Sequence, residues 1–129
     1  MGGRFLLDTN IIIALFSEDL KIREHIANAS EVFVPSIAIG ELYFGAYKSS
    51  KIQENHARID EFALINTVLP CNADTARRYG DIKFRLKEKG RPIPENDIWI
   101  AAIAQQYDLT LVTRDTHFEA VGNFKIEVW

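Results

Sequence analysis

Cysteine is almost absent from this sequence, which limits both its stabilisation and its chemistry. Among 129 residues only Cys71 is a cysteine, so an internal disulfide is excluded, as is typical of proteins in a reducing cytoplasm. We expect Cys71 to be a small, buried apolar side chain. The chain also has only three histidines and shows no cluster of cysteine and histidine ligands, which disfavours a zinc site.

Long hydrophobic runs are missing as well. The apolar run at 11–16 is much shorter than the roughly 20 residues that a membrane helix requires. No signal peptide is visible before the first strand-like segment, so we expect a cytoplasmic protein without a membrane partner. The length and the 47% hydrophobic content are those of a folded protein, and we expect residues 1–129 to form a single domain.

Excess positive charge is also lacking overall. The net charge of −3 argues against a general nucleic-acid coat protein. The charge is uneven, however, because seven basic and two acidic residues occupy 77–91. This stretch can be a solvated helix face with an Asp81–Arg85 pair, or a rim that contacts phosphates.

Short strand-like segments alternate with helical ones along the chain. Strands are expected at 4–8, 31–35, 67–69, 110–113 and 125–129, and helices at 11–16, 20–29, 37–47, 51–64, 74–89 and 96–107, with a helical turn at 116–120. We expect 37–47 to be largely buried, since it is apolar nearly all round, and Leu20 and Ala76 to face inward. Such alternation predicts an α/β protein, a three-layer α/β/α sandwich with a central, mainly parallel sheet of about five strands.

Four acidic residues stand at or near the ends of apolar runs: Asp8, Glu41, Asp97 and Asp115. Ligands of open parallel sheets bind outside the carboxyl ends of the strands, and the expected topology brings all four to that edge. The alternatives are ordinary ones, because the three aspartates can each cap or begin a helix or turn. Glu41 is harder to dismiss, since a charge within an apolar helix is costly unless it is paired.

Converging carboxylates repel one another and call for a cation. Ligation by oxygen suits Mg²⁺ or Mn²⁺, and such an ion commonly completes its shell with substrate phosphate, which points to phosphate-ester chemistry. Four polar neighbours can support the carboxylates or a water, namely Thr9, Ser36, Asn96 and Thr113, although each can equally be a turn or cap residue. His117, close to Asp115 in sequence, is a less persuasive candidate for proton transfer.

These residues, in this order, resemble the PIN-domain family, and within it the VapC-type toxins of toxin–antitoxin pairs. The matching motifs span essentially the whole chain and are Leu7-Asp8-Thr9-Asn10, Glu41-Leu42, Pro94-Glu95-Asn96-Asp97 and Leu111-Val112-Thr113-Arg114-Asp115. The family's acidic quartet matches Asp8, Glu41, Asp97 and Asp115, and its helpers match Thr113 and Asn96. One departure is Ala38, where many relatives carry Ser or Thr; Ser36 can compensate, or a hydrogen bond near the metal is missing.

The resemblance implies a Mg²⁺- or Mn²⁺-dependent endoribonuclease toxin that acts on RNA. Asp8 and Asp97 would be the principal metal ligands, with Glu41 and Asp115 completing the site. The implied partners are a cognate antitoxin and a second copy of the chain, in a homodimer or a toxin–antitoxin hetero-oligomer. RNA contacts are expected from five basic residues: Arg85, Lys87, Lys89, Arg91 and Arg114.

Three alternatives stay open at the level of sequence. The apolar surface around Phe44 and Tyr47 can be an antitoxin groove, a dimer seam or ordinary core. The whole chain can instead be a non-catalytic module that binds RNA or protein. A phosphatase acting through an aspartyl phosphate at Asp8 ranks last, because no second acid follows closely in Thr9-Asn10-Ile11.

Overall fold

The computed structural model describes residues 2–129, which form five β-strands, six α-helices and one 3₁₀ turn. Along the chain they are β1 (Arg4–Leu7), α1 (Thr9–Phe16), α2 (Leu20–Asn28), β2 (Glu31–Pro35), α3 (Ser36–Tyr47), α4 (Ile52–Ile65), β3 (Thr67–Leu69), α5 (Ala73–Glu88), α6 (Glu95–Gln106), β4 (Thr110–Val112), the 3₁₀ turn (Thr116–Ala120) and β5 (Ile126–Glu127). Each expected element is present, and the boundaries differ from expectation by a few residues at most.

The five strands make one sheet in the order β3-β2-β1-β4-β5, and every neighbouring pair is parallel. The central strand β1 pairs with β2 on one side and with β4 on the other; Leu6 lies opposite both Phe33 and Leu111. The strand order therefore reverses at β1, and its carboxyl end is the place where an open parallel sheet binds ligands.

Alternating side chains of β1 point into two separate hydrophobic cores. Leu6 belongs to the core that α5 and α6 cover, whereas Phe5 and Leu7 belong to the core under α1 to α4. This alternation is the period of two expected of a strand that is covered on both faces. The predicted three-layer α/β/α sandwich is confirmed.

The prediction that 37–47 is largely buried was wrong for helix α3. Its buried residues are Ala38, Leu42 and Ala46, while Phe44 and Tyr47 are each 63% exposed. One stripe of α3 suffices for packing, and an apolar sequence does not say how many neighbours cover the rest. Ordinary core is therefore ruled out for Phe44 and Tyr47, while the groove and seam alternatives stay open.

Three smaller expectations about burial were also wrong. Cys71 is exposed, because it lies in the connection between β3 and α5, and Leu20 is exposed at the first position of α2. Ala76 is exposed because its neighbour Thr75 takes the buried position in α5. Burying that polar residue is tolerated because it shares a capping box with Asn72. No helix formed by residues 2–129 combines the length and apolar character needed to cross a membrane.

Candidate active site

A cavity of about 520 Å³ opens at the carboxyl edge of the sheet, beside the end of β1, and all four predicted acids line it. Asp8 follows β1 directly, Asp115 lies three residues beyond β4, Asp97 is in the first turn of α6 and Glu41 is in the middle of α3. The rest of the lining is Thr9, Asn10, Ile13, Pro94, Glu95, Asn96 and His117. Segments that are remote in sequence are thus brought together by the reversal of strand order.

Two threonines each tie Asp8 to another acid of the quartet. The backbone N–H of Thr9 donates to Asp8 Oδ1 at 2.8 Å, and its hydroxyl donates to Glu41 Oε1 at 2.6 Å. Thr113 donates its hydroxyl hydrogen to Asp8 Oδ2 at 2.7 Å and accepts the N–H of Asp115 at 3.0 Å. Both Asp8 oxygens are therefore fixed in direction, and each keeps a lone pair for a cation.

The capping alternatives apply to one aspartate only. Asp8 does cap α1 through the Thr9 N–H, and it lines the cavity at the same time. Asp115 precedes the 3₁₀ turn without making a side-chain capping bond, and the cap position of α6 is occupied by Pro94 instead of Asp97. Helix capping therefore does not account for Asp97 and Asp115.

His117 and Asn10 are the polar residues to which sequence reasoning gave too little weight. His117 Nε2 lies 2.6 Å from Asp97 Oδ2, so the histidine contacts Asp97, although in sequence it is closer to Asp115. Asn10 donates from Nδ2 to Asp115 Oδ2 at 3.3 Å and accepts the N–H of Arg114 at 3.3 Å. The available signal was their place inside the motifs, Asn10 two residues after Asp8 and His117 two residues after Asp115.

Burial sets the electrostatics of the two deepest carboxylates. Desolvation raises the pKa of Asp8 from 3.8 to about 6, against the hydrogen bonds from Thr113 and Thr9, which lower it. Desolvation also raises the pKa of Asp97, while the contact with His117 lowers it. Charge repulsion within the quartet adds to both increases. The ionised forms therefore lack the compensation that a nearby cation provides.

A divalent cation fits these residues. One ligand atom from each of Asp97, Asp115 and His117 lies within 4.8 Å of the others, close to the width of about 4.2 Å given by Mg–O bonds of about 2.1 Å. Carboxylate oxygens suit Mg²⁺ and Mn²⁺, and a single imidazole nitrogen is compatible with Mn²⁺. Asp8 and Glu41 line the same cavity but do not belong to this group of three.

The remaining predicted residues lie in different places. Asn96 lines the cavity, whereas Ser36 lies in an adjoining depression with Asn96 and Glu41. Compensation by Ser36 for the hydroxyl missing at Ala38 stays a prediction. Within residues 2–129, the five predicted RNA contacts are outside the cavity lining. Three of them have partners, since Arg85 pairs with Asp81, Lys89 donates to the Ala120 carbonyl, and Arg114 donates to Asp19 and the Trp129 carbonyl.

The family model of the PIN domain matches residues 5–123, which include all four acids. The chain belongs to the PIN-domain family. This PIN protein has curated relatives along its full length: it is 38% identical to "Ribonuclease VapC2" of Haemophilus influenzae and 35% identical to "tRNA(fMet)-specific endonuclease VapC" of Shigella flexneri, with 98% of each chain covered.

Solved structures of the family agree with the fold. DNA-bound VapBC from Salmonella typhimurium superposes with a TM-score of 0.90 at 33% identity, covering 100% of this chain and 99% of that one. VapBC2 from Rickettsia felis, bound to a DNA fragment from its promoter, gives a TM-score of 0.89 at 28% identity with 98% coverage of both chains. The similarity extends over nearly whole chains, so this PIN protein shares its fold with VapC proteins along its length.

Proposed function

We propose that this PIN protein is a metal-dependent endoribonuclease, the toxin of a toxin–antitoxin pair, and that Mg²⁺ or Mn²⁺ binds among Asp8, Glu41, Asp97 and Asp115. The observation that carries the proposal is the convergence of these four carboxylates, from four separate segments, on one cavity. When bound, such an ion lowers the pKa of water and offsets the negative charge that develops on phosphate oxygens.

The chain's own groups would prepare the cavity for this chemistry. Thr9 and Thr113 hold both oxygens of Asp8, which limits its rotation and keeps it ready to bind the ion. His117 holds one oxygen of Asp97, and Asn10 holds one oxygen of Asp115. Glu41, fixed by the Thr9 hydroxyl, is in a position to orient a water beside the phosphate. Ligands held in advance lose less freedom when the ion and the RNA bind.

The substrate class we propose is RNA, with an initiator tRNA as the first candidate. Relatives at 35% and 33% identity carry names that specify tRNA(fMet), and both align along nearly the whole of this chain. RNA contact by Arg85, Lys87, Lys89, Arg91 and Arg114 stays a prediction. An RNA substrate and the exposed, unpaired Cys71 are consistent with a cytoplasmic location.

The partner we propose is an antitoxin that covers a groove next to the acids. This groove, of about 410 Å³, runs between α1, α3 and α4 and joins the acid cavity at Ile13 and Glu41. Its lining includes Phe16, Leu42 and Ala46, which suits an apolar helix or strand of a partner. Similar chains have been solved as VapBC complexes, which supports this assignment. Dimer formation by the toxin itself stays a prediction.

The deciding experiment compares the purified chain with its Asp8→Asn variant on total cellular RNA and on tRNA(fMet). We expect the wild type to produce new 5′-phosphate ends with Mn²⁺ and none with EDTA. The Asp8→Asn variant should produce none with Mn²⁺ or with Mg²⁺. The matched control is Asp81→Asn, the same exchange at an exposed residue on α5, which should cleave normally. Full cleavage by Asp8→Asn, or cleavage in EDTA, would refute the proposal, and RNA binding without any cleavage would favour a non-catalytic module.

A further inference from the structure

We propose that the shallow depression beside the acid cavity is a binding subsite for one unpaired nucleotide of the RNA, adjacent to the phosphate that is cleaved. The depression has a volume of about 350 Å³ and is lined by Ser36, Ile37, Gly40, Glu41, Phe44 and Asn96. This inference rests on the proposed ribonuclease function and names part of the substrate that the site would recognise.

The nucleotide subsite is continuous with the acid cavity. Glu41 and Asn96 line both, one from α3 and the other from the first turn of α6. A phosphodiester placed at the carboxylates must extend in two directions along its backbone, and the subsite lies along one of them. On the opposite side of Glu41, the proposed antitoxin groove begins. Helix α3 thus places this glutamate between two distinct surfaces.

The chemistry of the subsite suits a nucleobase. Phe44 offers a ring that is 63% exposed, and bases stack on such rings without regard to sequence. The Ser36 hydroxyl and the Asn96 amide can donate to and accept from a base edge, as single-stranded RNA recognition requires. Lys48 Nζ lies 4.2 Å from the centre of the Phe44 ring, so a cation is available for the adjoining phosphate.

Gly40 keeps this depression open. It lies in α3, and a Cβ added there meets no atom within 4 Å, so a larger side chain would project into the subsite without disturbing the core. Gly45, on the same helix, has the same open space but lines the antitoxin groove instead. The two glycines therefore form a matched pair for testing which surface the RNA uses.

The test measures cleavage of an RNA oligonucleotide and of versions that lack one base on either side of the cut. Removing the base that occupies the subsite should slow the wild-type protein about tenfold. Gly40→Leu and Phe44→Ala should slow cleavage of the intact RNA by a similar factor, with no further loss on the abasic RNA, because both changes remove the same contact. Phe44→Tyr, which keeps a ring, should recover most of the rate that Phe44→Ala loses on intact RNA. Gly45→Leu, outside the subsite, should lose rate on the abasic RNA by the same factor as the wild type.

Three results would overturn the subsite. One is that Phe44→Ala and Gly40→Leu cleave intact RNA at the wild-type rate. Another is that these variants fall below the wild-type rate by the same factor on intact and on abasic RNA. The third is a change of oligomeric state in these variants that accounts for the loss, which would assign the depression to a second copy of the chain. Light scattering during elution from a sizing column measures that state.

A separate binding measurement distinguishes this inference from the proposed function. Fluorescence anisotropy with a labelled RNA oligonucleotide in Ca²⁺ reports affinity whether or not the protein cuts. If the wild type cleaves no RNA, the ribonuclease proposal fails, and the subsite still stands if Gly40→Leu and Phe44→Ala weaken binding about tenfold while Gly45→Leu does not. Equal affinity in all four proteins overturns the subsite.

Discussion

Thr113 donates its hydroxyl hydrogen to Asp8 across 2.7 Å, although the two residues are 105 positions apart in the chain. Both side chains are buried, and Thr113 also accepts the N–H of Asp115. The parallel pairing of β1 with β4 makes the contact, because each residue directly follows its strand. A neutral hydroxyl thus joins two members of the acidic quartet and fixes the direction of Asp8.

The first prediction concerns this hydroxyl. Thr113→Val keeps the shape of the side chain but removes the donor to Asp8 and the acceptor for Asp115. We expect the affinity for Mn²⁺, measured by titration calorimetry, to fall about tenfold, which is typical of losing a hydrogen bond to a metal ligand. Thr113→Ser retains the hydroxyl and should bind the ion as the wild type does. Equal Mn²⁺ affinity for the valine variant would mean that Asp8 does not depend on Thr113.

The second prediction is that the metal-free protein loses stability as the pH rises. Burial raises the pKa of Asp8 from 3.8 to about 6, so the folded state binds the proton more tightly than the unfolded state does. Below about pH 4 both states hold the proton, and above about pH 6 ionised Asp8 costs the folded state on the order of 3 kcal/mol. The free energy of unfolding in EDTA should therefore fall between pH 4 and pH 6.

Urea titrations at pH 4 and pH 7.5 measure this effect. In EDTA, the Asp8→Asn variant should lose much of the pH dependence and be more stable than the wild type at pH 7.5. The raised pKa of Asp97 acts in the same direction, so the Asp8→Asn variant should keep a smaller pH dependence of its stability. A saturating concentration of Mg²⁺ should restore the stability of the wild type at pH 7.5. It should increase the free energy of unfolding of the Asp8→Asn variant by less. Identical pH profiles for the two proteins would contradict the buried, uncompensated charge of Asp8.

Much of this architecture was predictable because the alternation of apolar strands and helices reads directly from the sequence. The carboxyl-edge rule then placed Asp8, Glu41, Asp97 and Asp115 near one another, and the structure brings them to one cavity. The direction of individual side chains was not predictable. His117 lies on a 3₁₀ turn, and whether it meets Asp97 or Asp115 depends on how that turn packs.

Burial within helices was the other limit of the sequence. A helix that is apolar all round tells nothing about how many neighbours cover it, which is why Phe44 and Tyr47 of α3 are exposed against expectation. The opposite error occurred at Thr75, whose hydroxyl is satisfied by Asn72 and Gln106 and is therefore buried where Ala76 was expected. Both errors come from tertiary contacts, which a local pattern does not contain.

The third prediction assigns His117 a positioning role through Asp97. His117→Ala removes the contact at 2.6 Å and should lower the affinity for Mn²⁺ about tenfold in calorimetry, with little change in the overall fold. His117→Gln, which can still donate to the carboxylate, should recover most of that affinity. Pulsed electron paramagnetic resonance of bound Mn²⁺ adds a second readout, because an imidazole that donates to Asp97 is not bound to the ion. The nitrogen coupling of a directly bound imidazole would contradict the positioning role. Unchanged affinity and unchanged spectra would leave His117 without a role at the ion.

The last prediction separates structure from RNA binding at Arg114. Its Nη2 lies 3.0 Å from Asp19 Oδ2, and its Nε donates to the Trp129 carbonyl at 3.1 Å, so it fastens the C-terminus to the N-terminal cap of α2. The guanidinium also lowers the pKa of Asp19, which shows that the pairing favours the ionised carboxylate. We expect Arg114→Met to lower the free energy of unfolding only modestly, since the pair with Asp19 is partly exposed to solvent, although the bond to the Trp129 carbonyl is lost as well.

RNA contact by Arg114 stays a prediction, and both bonds that the structure gives this residue are within the chain, so the same variant tests the two roles together. The comparison is Lys87→Met, a change on the basic face of α5 for which RNA contact is also predicted. If Arg114 contacts a phosphate instead, Arg114→Met reduces the slope of log affinity against log salt concentration by about one and leaves the free energy of unfolding unchanged. Measuring the anisotropy of labelled RNA at several salt concentrations, beside urea titrations of the two variants, decides between these outcomes.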